Sequence, residues 1–218
     1  LRQTPPDFVA ALNRDIRGLR IAWSPDYGYT AVDPEVVQAT SRAARVFEEL
    51  GCSVSDSDLV LDSPYDAFRT LFGASAYASN GHLLEGQSDK LTTYAREYIE
   101  FGATVTGADY ARALGSMDRL KVQFADLFDS VDLLLSPTMA VPALEVAQRI
   151  TSIAGREVHP FWGYLPFTYP INVIGHPAAS VPCGFSSDGM PIGLHIVGRP
   201  GDEETVIAAS AAFEGARP

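Results

Sequence analysis

FTYPINVIGHPAASVPCGFSSDGMPIGLHIVGRPGDEETVIAASAAF, residues 167–213, is the stretch on which the fold turns. Ala178–Phe185 (AASVPCGF) is short and apolar with a Val-Pro break, and 191–197 (PIGLHIV) is a second apolar run. Between them Ser186-Ser187-Asp188-Gly189 is a turn cluster, with glycine where a positive φ is needed. The pattern predicts a β-hairpin with a four- or five-residue loop. After Arg199-Pro200-Gly201 comes Asp202 as a helix N-cap, with Glu203 and Glu204 in the first turn. Val206, Ile207, Ala209, Ser210 and Phe213 then recur at helical spacing.

Upstream of the hairpin, Asp132–Ser136 (DLLLS) reads as a buried strand cut off by Pro137-Thr138. Residues 139–160 hold Pro142, Gly155 and Pro160 and read as a loop with one short helix; the aromatic cluster Phe161-Trp162-Gly163-Tyr164 follows. Nearer the start, Pro5-Pro6-Asp7 is a helix entry with Phe8, Leu12 and Ile16 at helical spacing, and Leu19–Trp23 is a strand. Asp33 caps a helix with Pro34 at its first position, and Gly51 ends it. With a strand at Cys52–Ser57 this makes a β-α-β unit. Three helical regions follow: Tyr65–Glu85, Leu91–Phe101 closed by Gly102, and a long one from Thr106 to Asp129. The long one has a stripe of Tyr110, Leu114, Met117, Leu120, Phe124, Leu127 and Phe128. The fold class is therefore α/β. No internal repeat and no clean linker interrupts it.

The chain has 218 residues, 46% apolar and 20% charged, enough to bury a substantial core. A net charge of −11 disfavours nucleic acid and anionic membrane surfaces as partners. Two cysteines, Cys52 and Cys183, make no disulfide framework, and Cys183 reads as a buried small hydrophobe. No apolar run approaches the ~18 residues of a membrane span, and residues 1–10 lack a signal-peptide core. The expected location is cytoplasmic. The chain opens at Leu1 and passes into a Pro-Pro segment, which fits a fragment of something longer.

The run Asn172, Gly175, Pro177, Ala178, Ser180, Pro182, Gly184, then Pro191, Gly193, Leu194, Ile196, Gly198, Arg199, Pro200, resembles the C-terminal part of the amidase signature family. The Ser136-Pro137-Thr138 step after an apolar run is similar to that family too, and the resemblance covers nearly the whole chain. It implies an α/β fold with a mixed β-sheet covered by helices, and a hydrolase that cleaves carboxamides through an acyl-serine intermediate, with no metal or organic cofactor. The family's nucleophile, bridging serine and base lie in Gly/Ser-rich and Lys-containing segments that this chain lacks, so the expected catalytic set within it is none. Residues 1–218 are then the C-terminal portion of the domain. They supply scaffold and one wall of the cleft, with Thr138, Met139, Phe161, Trp162, Phe167 and Asn172 as candidate substrate-binding residues. In the family's tRNA-dependent amidotransferases an Asp before the equivalent of Phe167-Thr168 holds the amino-acid substrate. Here Tyr164-Leu165-Pro166 offers no carboxylate, which points to an apolar or aromatic amide.

The residues exclude other chemistries. There is no G-x-S-x-G elbow and no H-E-x-x-H, and His82, His159, His176 and His195 are isolated. A base lysine must be desolvated or near other cations. The two lysines, Lys90 in a polar break and Lys121 on the long helix, read as solvated. Ser180 reads as a packing or hydrogen-bonding residue, and His195 as a satisfied core or edge side chain. A sheet lacking half its strands would expose edge and apolar surface, so self-association or pairing with a missing N-terminal half is expected. The alternative is a stand-alone, non-catalytic binding or assembly module derived from the family.

Overall fold

In the computed structural model, residues 6–146 and 148–216 are described; the reading of Pro5 lies outside them. The hairpin is present. β6 (Ala178–Phe185) and β7 (Pro191–Gly198) pair antiparallel, with Ser180 opposite His195 and a register shift between Pro182 and Gly184. Gly189 turns the chain at φ 79°.

β7 also pairs antiparallel with β3 (Leu133–Pro137), and β3 runs parallel to β1 (Arg20–Trp23), which runs parallel to β2 (Ser53–Asp56). The mixed sheet has the order β2-β1-β3-β7-β6. α2 (Pro34–Glu49) joins β1 to β2 as the predicted β-α-β unit. The Asp33 carboxylate accepts from the Glu35 N–H at its start, and Gly51 follows it at φ 85°. α7 (Glu203–Ala216) begins at Asp202, whose carboxylate accepts from the Thr205 N–H and hydroxyl. One face of the sheet (Ile21, Trp23, Leu133, Leu135, Val181, Leu194, Ile196) is buried with Ala43, Phe47, Val206, Ala209 and Phe213 of those two helices. Phe47 and Phe213 stack with ring centres 5.6 Å apart.

The alternation of strand side chains puts Ser136, His195 and Ser180 together on the other face. There Tyr27, fully buried at φ 51°, reaches Ser136 Oγ with its hydroxyl at 3.0 Å. Its ring meets Phe167 edge-on, centres 5.1 Å apart.

Residues 63–122 form a second unit, and residues 1–62 with 123–218 the first. The second unit holds α3 (Tyr65–Asn80), continued by a 3₁₀ turn over Gly81–Leu84, then α4 (Thr93–Thr104) and the first part of α5 (Gly107–Ser130). α4 does not stop at Gly102. That glycine lies inside the helix where α4 meets α3, and a Cβ on it would fall 1.9 Å from the Gly73 carbonyl oxygen. Close approach, not chain termination, accounts for the residue.

Other expectations change as well. The first helix, α1, covers only Phe8–Ala11; Phe8 and Leu12 are exposed, and Ile16 reaches the core after a turn. In α5, Ala113, Leu120, Phe124 and Phe128 are buried, whereas Tyr110 and Leu114 are exposed. Among the described residues of 139–160 there is no helix. A small hairpin, β4 (Ser152–Ile153) with β5 (Arg156–Glu157), takes its place. Its two-residue strands are too short to leave a periodic signal. α6 (Thr168–Ile174) closes at Gly175, φ 76°, whose N–H donates to Ile171 O.

Candidate functional site

β3 ends at Pro137, and its ladder continues one step as the Thr138 N–H donates to Gly193 O at 2.9 Å. Met139 then enters a cavity of about 310 Å³ whose wall includes Val141, Leu144, Tyr164, Ile192 and Gly193. The cavity lies beyond the carboxyl end of β3, where open α/β sheets collect ligands. Glu145 and Arg149 are its charged lining residues. Arg149 donates to Gln148 O and sits 4.3 Å over the Phe161 ring.

The six candidate residues do not gather at one place. Thr138 is half-buried, and its Oγ1 lies 2.7 Å from Ser180 Oγ. Met139 lines the cavity. Phe161 and Trp162 are half-buried, their N–H groups donating to His159 Nδ1 at 3.2 and 3.3 Å. Phe167, by contrast, is 0% exposed against Tyr27, so it is core support and no wall of this cavity. Asn172 is exposed on α6 and does not line it. The pairing of β3, β7 and β6 brings Ser180 to Thr138, and Ile192 and Gly193 to Met139, a juxtaposition the chain alone does not show.

Lys90 and Lys121 are exposed, with Lys121 3.6 Å from Asp118. Burial pushes the half-buried Cys183 thiol up to about 11, so it stays protonated near neutrality. Cys52 is buried and donates to Ile16 O. His176 packs between Phe124 and Phe128, and its Nδ1 is bonded to Gly198 O. His195 is 4% exposed; burial alone takes its imidazole down to about 4, leaving it neutral. Its Nδ1 has no partner among the described residues, where the sequence leads one to expect a satisfied side chain. No group of three or more His, Cys, Asp or Glu among the described residues could hold a metal ion, and no helix among them is long and apolar enough to cross a membrane.

A family model, Amidase, matches residues 2–207. The chain belongs to the Amidase family. Over its full length it is 31% identical to an acylamidase of Rhodococcus erythropolis, of which it covers 46%. It is also 31% identical to a glutamyl-tRNA(Gln) amidotransferase chain of Geobacter metallireducens, over 97% of this chain and 48% of that one. A bacterial aryl acylamidase of the amidase signature enzymes superposes with a TM-score of 0.88 at 31% identity, over 99% of this chain and 47% of that one. A 6-aminohexanoate cyclic dimer hydrolase bound to substrate gives 0.83 at 27% identity, over 99% and 48%. This Amidase-family chain thus spans about half the length of the curated relatives it matches. The mixed sheet with covering helices is the fold these relatives share.

Proposed function

We propose that the polypeptide carrying this Amidase-family chain hydrolyses carboxamides through an acyl-serine intermediate, and that residues 1–218 are the C-terminal portion supplying scaffold and part of the substrate cleft. The observation that carries this reading is the 31% identity to an acylamidase across the whole chain. In the proposed reaction a serine hydroxyl adds to the amide carbonyl, a base passes its proton to the departing amine, and water then releases the acid. The chain's own lysines are exposed and its thiols protonated, which supports placing the nucleophile and base outside it. Thr138 and Met139 are the cleft residues we retain, with Phe161 and Trp162 flanking.

The substrate is a small apolar or aromatic amide, consistent with Met139, Val141, Leu144 and Ile192 in the cavity wall and the lack of a carboxylate at 164–166. No cofactor takes part, and the net charge of −11 speaks against nucleic acid or anionic membrane as partners. The working location is the cytoplasm. The test compares two preparations, the natural polypeptide and residues 1–218 alone, on a panel of aryl and aliphatic amides. Turnover by the first and none by the second is expected. Turnover by residues 1–218 that survives Lys90→Ala and Lys121→Ala would overturn the assignment of roles. Silence of both would favour a non-catalytic binding module.

A further inference from the structure

We infer that the Thr138–Ser180 hydroxyl pair recognises the carboxamide group itself, with the ligand's apolar substituent in the cavity at Met139. The inference rests on the amide reading for the name of the ligand, and on geometry for the site. The two oxygens are 2.7 Å apart, and Ser180 is exposed. Two hydroxyls carry two hydrogens and four lone pairs. Their mutual bond uses one hydrogen and one lone pair, so one donor and three acceptor sites are left. A carboxamide offers the complement, a carbonyl that accepts and an N–H that donates. A carboxylate could use only the donor, and an ammonium only the acceptors.

Gly193 keeps the pair in place. A Cβ there would come 2.7 Å from Ser180 Oγ and 2.9 Å from Thr138 Oγ1, so any side chain would displace one hydroxyl. Gly193 also lines the cavity, next to Ile192 and with Met139, so the polar pair and the apolar part of the cavity share a border. A second observation concerns the same face of the sheet. His195 stands opposite both Ser136 and Ser180 in the strand register, is 4% exposed, and has an Nδ1 with no partner among the described residues. Buried polar groups are normally paired, and a neutral imidazole of this kind beside a hydroxyl pair is unspent hydrogen-bonding capacity. The exposed Glu145 and Arg149 also line the cavity and bring charge of both signs, so a neutral ligand suits the whole.

Benzamide is the probe and acetophenone, with a methyl in place of the amide nitrogen, its comparator. Binding is followed by chemical-shift titration of the natural polypeptide carrying this chain. Wild type should bind benzamide about tenfold more tightly than acetophenone. Thr138→Val and Ser180→Ala should each abolish that preference, and Thr138→Ser, which keeps the hydroxyl, should retain it. A preference that persists in both hydroxyl-deleting variants, with unchanged thermal unfolding, overturns the site. Benzamide hydrolysis in the same preparations separates the two readings. Turnover with an unaltered KM in both variants sinks the hydroxyl site and leaves the amidase. Amide-selective binding lost in the variants, without any turnover in wild type, keeps the site and sinks the amidase.

Discussion

His195 and Arg199, four residues apart, carry opposite electrostatic assignments. Burial lowers the His195 imidazole from 6.5 to about 4, so the folded protein holds it neutral. As pH falls below 6.5 the unfolded chain takes up a proton that the folded one refuses. Stability is therefore lost between about pH 6.5 and 4, by about 3 kcal/mol in all, and the loss ends once both forms are protonated. His195→Gln removes this dependence. The unfolding midpoint of the variant, compared with wild type at pH 7 and 4.5, should fall less at the lower pH; equal falls would contradict the assignment. Arg199 has a different task. Its guanidinium donates to Phe128 O, Val131 O and Asp132 Oδ1, at 3.0, 2.7 and 2.8 Å, and so closes the end of α5. The Arg20 guanidinium and N–H, bonded to the same carboxylate, hold Asp132 below the usual carboxylate range. The ion pairs are partly exposed, so most of the effect lies in the two carbonyls. Arg199→Ala should cost about 2 kcal/mol in urea unfolding, and Arg199→Lys should recover less than half, because lysine cannot fork.

At the level of elements, the contact between α3 and α4 is set by glycines. Gly102→Ala would drive a methyl into the Gly73 carbonyl, backbone against backbone, and neither helix can yield by rotating a side chain. We expect a loss of about 3 kcal/mol, the upper end for overpacking. It should be read as faster amide exchange through residues 63–122 with residues 191–198 unaffected. This glycine shows why part of the chain is legible and part is not. α2 can be read outright because Asp33, Pro34 and Gly51 act locally, each through its own backbone. The hairpin can be read because its turn lies between two apolar runs. Gly102 carries the same letter as a helix stop, but its partner is 29 positions away in the chain, where no local rule reaches. The site divides the same way. Thr138 and Met139 enter as candidates through the family resemblance of the step after β3. The bond from Thr138 to Ser180 spans 42 positions and depends on the register of three strands.

At the scale of the whole molecule, the two outer strands of the sheet differ in character. β2, at one end, closes on Asp56 and is followed by Asp58 and Asp62, charges that discourage pairing. β6, at the other, spans eight residues, carries Phe185 at 71% exposure, and is interrupted only by Pro182 and the register shift beside it. Residues 1–218 prepared alone should therefore self-associate through β6. Light scattering should give a dimer or larger species that Phe185→Asp returns to monomer. A monodisperse wild-type monomer at high concentration would refute this. β7, in contrast, is shielded on both flanks by antiparallel neighbours, and six of its eight residues are buried. In deuterated solvent its protons should be the last to disappear, so the slowest-exchanging signals would trace one strand and report directly on the global opening of the first unit.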